Sequence, residues 1–200
     1  MPHQPPNILI ALVLAAALGG CSATGVAVGA GATVGVAAAQ ERGLQGGFKD
    51  AQTAIEVNRL LLEESTDLFG QVGVDVVEGR VLLTGSVRAP ESRVTAVRLA
   101  WQAPGVREVI NEIQVTDTSS LGNYARDTWI STQLKSRLLL DGEISSINYN
   151  VETVNQVVYI LGLGQDQTEI QRVISHAKDI PHVSRVVSYA LAKDDPARRS

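Results

Sequence analysis

Three histidines, one cysteine and 21 acidic side chains are the residues of this 200-residue chain that could bind a metal or move a proton. Their spacing favours neither. His3 lies beside the N-terminus, and His176 and His182 are six apart across an expected helix end. A metal pair on one helix needs a spacing of about three or four, and the single cysteine leaves no set of thiols to complete a zinc site beside them. His176 reads as a solvated helix residue and His182 as part of the turn before the last strand. No Ser–His–Asp or Cys–His set follows from the order of residues. The carboxylates fall one or two to an element, as on any soluble surface. The expectation is therefore a chain that is not an enzyme, with no catalytic residues, no metal and no cofactor.

Binding chemistry has better material. Aromatic residues are 4% of the chain, so each tryptophan stands out from an aliphatic background. Asp127 to Leu140, DTWISTQLKSRLLL, has helical periodicity: Ile130, Leu134 and Leu138 form one stripe. Trp129 lies off that stripe, on a strip with Gln133, Ser136 and Leu140, and Leu139 adds a further apolar side chain outside it. Lys135 and Arg137 are on the same helix. An indole beside cations suits a membrane surface, where the ring enters the headgroup region and the cations meet phosphates. The same residues would suit a junction between two packed modules, with the indole N–H bonded. From the residues alone both readings stand.

The elements that position this helix come in duplicate. Shifting the chain by 77 residues superposes Asp50 on Asp127, Leu61 and Leu62 on Leu138 and Leu139, Val81 on Val158, Gly85 on Gly162 and Val109 on Val186, without a gap. Each copy reads as helix, strand, two-residue turn, strand, helix, strand. The expected elements are 50–64, 72–77, 80–87, 91–102 and 106–115, then 127–140, 149–154, 157–163, 168–178 and 183–192. Pro90 suits the first turn of its helix, and Pro104 and Pro181 follow helix ends. The fold class is α+β: two tandem αββαβ modules, each a three-stranded mixed sheet with two helices on one face. Gly85 and Gly162, mid-strand, imply a close backbone approach, expected from a helix crossing the sheet. The repeat also serves as a control. Thr53, Val57 and Leu61 share the core stripe, but the equivalents of the Trp129 strip are Gln52, Glu56, Arg59 and Glu63, all polar. Trp101 reads as core or module–module packing.

The N-terminus reads as a targeting segment. Ile8 to Leu18 is apolar and short for a membrane span, and it leads into Leu18-Gly19-Gly20-Cys21. That ending resembles the bacterial lipobox, in which cleavage precedes a cysteine that is then lipidated; the chain's single cysteine occupies that position. Residue 22 is Ser rather than Asp, which by resemblance to enterobacterial sorting directs a lipoprotein to the outer membrane. The expected division is a signal peptide at 1–20, lipidated Cys21 and a Gly/Ala-rich tether at 21–48, and modules at 49–117 and 125–193. A linker at 118–124 and a tail at 194–200 complete it. The formal net charge of −4 argues against nucleic acid as a partner.

Val81-x-Leu83-x-Gly85-x-Val87, a helix, and then Gly105-Val106-x-x-Val109 resemble the BON domain, named for bacterial outer-membrane and nodulation proteins. The second copy matches notably at Asp127-Thr128-Trp129-Ile130 and Ser136, and departs at Gly164, where Val is usual, and at His182, where Gly is usual. Two such domains behind a lipobox resemble lipoproteins that face the periplasm from the outer membrane and support envelope integrity, with a link to division sites. The resemblance implies that the first helix of the second domain contacts anionic phospholipid. Trp129 matches that contact directly, and Leu134, Lys135 and Leu139 match it in character; Arg137 and Leu140 join the set from their place on the same helix. The alternative is a protein-interaction module that binds an envelope assembly protein, or another copy, through the same helix. Lys and Arg number six between Asp127 and Asp195, against nine Asp and Glu, so any attraction to anionic lipid must be local.

Overall fold

The computed structural model describes residues 43–116 and 121–199. The expected signal peptide, Cys21, the glycine-rich tether up to residue 42 and residues 118–120 of the expected linker lie outside the described residues; the rest of that linker, 121–124, is helical instead. Helix α1 (Gly43–Glu64) and a short α2 (Thr66–Gln71) lead into β1 (Val72–Val77) and β2 (Arg80–Val87). Helix α3 (Pro90–Ala100), β3 (Glu108–Asn111) and β4 (Gln114–Val115) complete the first module. The second has α4 (Leu121–Leu140), β5 (Tyr149–Val154), β6 (Val157–Gly164), α5 (Gln167–Lys178), β7 (Arg185–Ser188) and β8 (Leu191–Ala192). In each module the hairpin is antiparallel and the last strand runs parallel to the middle one, which gives the mixed sheet.

Both first helices begin before the aspartate where the sequence suggests a start. Asp50 and Asp127 are buried within α1 and α4, and their carboxylates accept hydrogen bonds from the hairpin turns below. Asp50 Oδ2 and Oδ1 accept from Glu78 N–H and Gly79 N–H at 2.9 and 3.0 Å, and Asp127 accepts from Asn155 and Gln156 N–H at 2.7 and 2.8 Å. Those turns need the help. Both central residues have positive φ, 53° and 73° in the first module and 49° and 66° in the second, as two-residue hairpins of this type require.

The last strand of each module is split, where the sequence predicts a continuous one. Asn111 Oδ1 accepts from Ile113 N–H at 3.2 Å, and Ser188 Oγ accepts from Ala190 N–H at 3.3 Å. These local turns divert the backbone, so that Ile113 and Ala190 pack into their cores. Gly85 and Gly162 do mark a close approach, but the neighbour is not a crossing helix. A Cβ at Gly85 would meet Gln71 O at 2.0 Å, and one at Gly162 would meet Asn148 O at 2.5 Å; each is the residue that enters the paired strand.

One face of each sheet is covered by that module's helices. Val57, Leu61, Val81 and Leu83 fill one core and Ile130, Leu134, Val158 and Ile160 the other, all fully buried. Each contributes roughly 1.5–3 kcal/mol through burial. The opposite faces of the two sheets pack on each other. Their shared cluster contains Val77 with Val154, Leu82 with Tyr159, and Ile110 with Val187, which are equivalent positions of the repeat. Hydrogen bonds frame it: Gln114 Nε2 donates to Val154 O at 3.2 Å, and Tyr189 Oη donates to Glu112. Arg198 Nε donates to Glu78 Oε2 at 2.8 Å, which ties the tail to the first module.

Candidate functional site

The exposed part of α4 is built from side chains that its core stripe leaves outside. Ile130 and Leu134 are fully buried and Leu138 nearly so, which fixes the helix's rotation about its axis. Trp129 is then 43% exposed, Leu139 72% and Leu140 85%. The indole does not pack between the modules. Its ring meets the edge of His182, with centroids 6.3 Å apart and planes at 65°. His182 stands at φ 71°, where the equivalent Gly105 has φ 87°. A left-handed turn residue that would ordinarily be glycine thus carries an imidazole here, and the imidazole abuts the one aromatic ring of the strip.

The sequence-derived set divides on this rotation. Trp129, Leu139 and Leu140 remain exposed. Arg137 is half-buried at their side, and its guanidinium donates to Asp179 O at 3.3 Å. Leu134 is a correction: it is fully buried in the module core and cannot touch an outside surface while the module is folded. Lys135 is exposed, but about 120° around the helix from Trp129 at about 100° per residue. It faces the gap between the modules, where it acts on Asp75 and Glu152. Only one of the two cations therefore lies on the outward side of the helix with the tryptophan.

Beyond Leu140 the chain turns through an acidic segment whose charges are locally matched. Asp141 Oδ2 is 2.7 Å from His176 Nε2 and 3.7 Å from an Arg172 nitrogen, and Arg172 also pairs with Glu143. His176, read from sequence as a solvated residue, is half-buried in this pairing. Its partner lies 35 residues away, so spacing gave no hint of it. No group of three or more potential metal ligands exists among the described residues, and no described helix is long and apolar enough to cross a membrane.

The first module presents a different surface. Trp101 is 53% exposed, which corrects the expectation of core or module packing. Its place just after the last turn of α3 leaves the ring outside the α1–α3 contact. Phe48, Ile55 and Leu62 are also exposed, at 65%, 69% and 47%. They follow one another at intervals of seven on α1, opposite the buried Val57. That spacing is legible in the sequence, and it marks an apolar strip that attention to the tryptophans alone passes over.

Comparison with known proteins places these features. The family model for the BON domain matches residues 49–117 and 126–191. An uncharacterized protein of Anaplasma centrale is 42% identical over 151 residues, covering 75% of this chain and 99% of the relative. The outer membrane lipoprotein DolP of Haemophilus influenzae is 33% identical over 118 residues, 59% of this chain and 61% of its own length. The osmotically-inducible protein Y of Escherichia coli is 28% identical over 139 residues, with 68% of this chain and 69% of the relative covered.

Proposed function

Because the chain belongs to the BON-domain family, with two such domains in tandem, we propose that it is a non-enzymatic outer-membrane lipoprotein facing the periplasm. It is held by lipid on Cys21 and touches anionic phospholipid through the exposed side of α4. The observation that carries the contact is Trp129, 43% exposed on the same side of α4 as Leu140 at 85%, on a strip that is polar in the first module. The likeness to an outer membrane lipoprotein supports the location. The contact itself would be weak. One flanking arginine supplies little attraction, and salt screens it over roughly 8–10 Å. A lipid anchor compensates by keeping the second module near the bilayer. In this reading the protein supports outer-membrane integrity, including at division sites.

The test uses the chain from residue 21 onward with Cys21→Ala, so that neither acylation nor the apolar segment Ile8–Leu18 dominates partitioning. Co-sedimentation with phosphatidylglycerol vesicles should be roughly tenfold weaker for Trp129→Glu, about 1.4 kcal/mol. Unchanged binding would remove the proposed contact.

A second reading, a protein-interaction module for an envelope assembly partner or another copy, is favoured by Phe48, Ile55 and Leu62, three large apolar side chains exposed along one side of α1, because exposed apolar surface marks interaction sites. Photo-crosslinking from positions 55 and 129 separates the two: lipid adducts at 129 support the first, a discrete protein adduct at 55 the second.

A further inference from the structure

Helix α1 carries apolar surface that its own module does not use. Phe48, Ile55 and Leu62 are all exposed, on the side away from the fully buried Val57 and Leu61. On a straight helix an interval of seven residues drifts by only about 20°. The three therefore form one row, with the repeat that lets a helix close on a second helix at a shallow angle. The surface on one flank of the row is low. Ala51 has only a methyl group there, and Asn58 folds back to donate from Nδ2 to Ala54 O of its own helix at 2.9 Å.

The other flank carries the charges, and they select the partner and its direction. Lys49, Glu56 and Glu63 each follow a member of the row by one residue, about 100° around the helix. Arg59 bonds both carboxylates within the helix, so the C-terminal half of the flank keeps one excess negative charge and the N-terminal end has the positive charge of Lys49. Asp50 is buried and holds the hairpin turn, and Glu64 faces Arg98. Turned end for end about Ile55, this surface is its own complement. Phe48 meets Leu62 of the second copy, Ile55 meets Ile55, the two low flanks adjoin, and Lys49 comes beside Glu63 at both ends. Parallel pairing would turn each charged flank toward the other copy's Ala51–Asn58 flank, and no charge would be matched. Glu56 and Glu63 also make the row a poor contact for anionic lipid.

We infer that the outer side of α1 binds a second copy of this chain, the two helices antiparallel about a twofold axis at Ile55. The inference rests on the protein-interaction reading of these residues and commits it to one partner. The helix layers of the two modules lie on opposite sides of the packed sheets, so the second copy docks away from Trp129. Dimerisation and the lipid contact therefore stand or fall separately. Three large apolar side chains from each copy make a weak dimer in solution, and anchoring both copies to one membrane raises their effective concentration.

The test uses the chain from residue 21 onward with Cys21→Ala, which contains no other cysteine. In sedimentation equilibrium the mass should climb toward twice that of the chain as concentration rises. Ile55→Glu should weaken the association at least roughly tenfold without lowering the melting temperature, because the side chain it replaces is exposed. A short bismaleimide reads the direction. Ile55→Cys should be captured as a dimer. Phe48→Cys and Leu62→Cys should each fail alone, because like ends lie about 21 Å apart along the helices, and should crosslink when mixed. A chain that stays monomeric overturns the inference, as does a dimer unchanged by Ile55→Glu, or one in which Phe48→Cys crosslinks to itself. A photo-crosslinker at position 55 that captures a different protein from a monomeric chain overturns it and keeps the protein-interaction reading. Capture of residues 22–42 of the same chain overturns it too.

Discussion

Asp127 is read most easily as the start of a helix, and its side chain does something else. It reaches down from inside α4 to hold the two N–H groups of a hairpin turn 28 and 29 residues on, as Asp50 does in the first module. Hydrogen bonds to a charged acceptor are worth roughly 1.5–3 kcal/mol each, more than neutral ones. Asp127→Asn keeps the shape but loses the charge and one acceptor, and should cost about 2 kcal/mol in denaturant unfolding. Gly164 has a comparable logic. Its added Cβ would sit 2.6 Å from both Tyr149 Oη and Ile170 Cγ1. The first module has Val87 at that position and Val72 at the position of Tyr149. A large side chain on β5 and a missing one on β6 replace two medium ones, which keeps the local volume and therefore the fold.

At the scale of the element, α4 serves three surroundings at once. Its Leu134 side faces the module core, its Lys135 side faces the inter-module cleft, and its Trp129 side faces outward. Substitutions should separate accordingly. Leu134→Ala should cost about 2–5 kcal/mol of stability through the cavity it leaves, and any loss of vesicle binding should track the unfolded fraction. Leu140→Ala should leave stability within about 0.5 kcal/mol and yet reduce vesicle binding of the folded protein. Thermal melts run beside the co-sedimentation assay distinguish the two. Equal losses of stability would contradict a helix that buries Leu134 and exposes Leu140.

Over the whole molecule, the two modules meet through one and the same face, as the halves of a twofold dimer do. Equivalent residues therefore come near each other. In the case of Asp75 and Glu152 that juxtaposition is unfavourable. Burial raises the pKa of both, and Glu152 is raised further by Asp75 and Asp127; Lys135 opposes the shift in each. Both carboxyls thus hold a proton more firmly folded than unfolded. Their penalty is absent below the ordinary carboxylate value of about 4, grows as pH rises through the window up to the raised folded values, and is complete above it. Asp75→Asn and Glu152→Gln should melt close to the wild type at about pH 4 and above it near neutrality. A difference that does not change with pH would show that these carboxyls do not carry the effect.

Much of this protein was decided locally and was legible for that reason. The repeat, the order of elements, the hairpin turns and the core stripes follow from spacing, glycine and proline, and they hold in the folded chain. The outward position of Trp129 was equally a matter of helical phase, because the stripe of Ile130, Leu134 and Leu138 fixes which side faces away. What the sequence left open depended on contacts between residues far apart in the chain. Whether Trp129 would be covered by the other module turned on how two sheets meet; they meet through their bare faces, and the helices stay outside. The same packing turns Lys135 toward Asp75 and Glu152, and sets Thr84 and Ser86 at the edge of the shared cluster instead of within it. Periodicity fixes the direction of a side chain from its helix or strand, and only the tertiary arrangement fixes what lies in that direction.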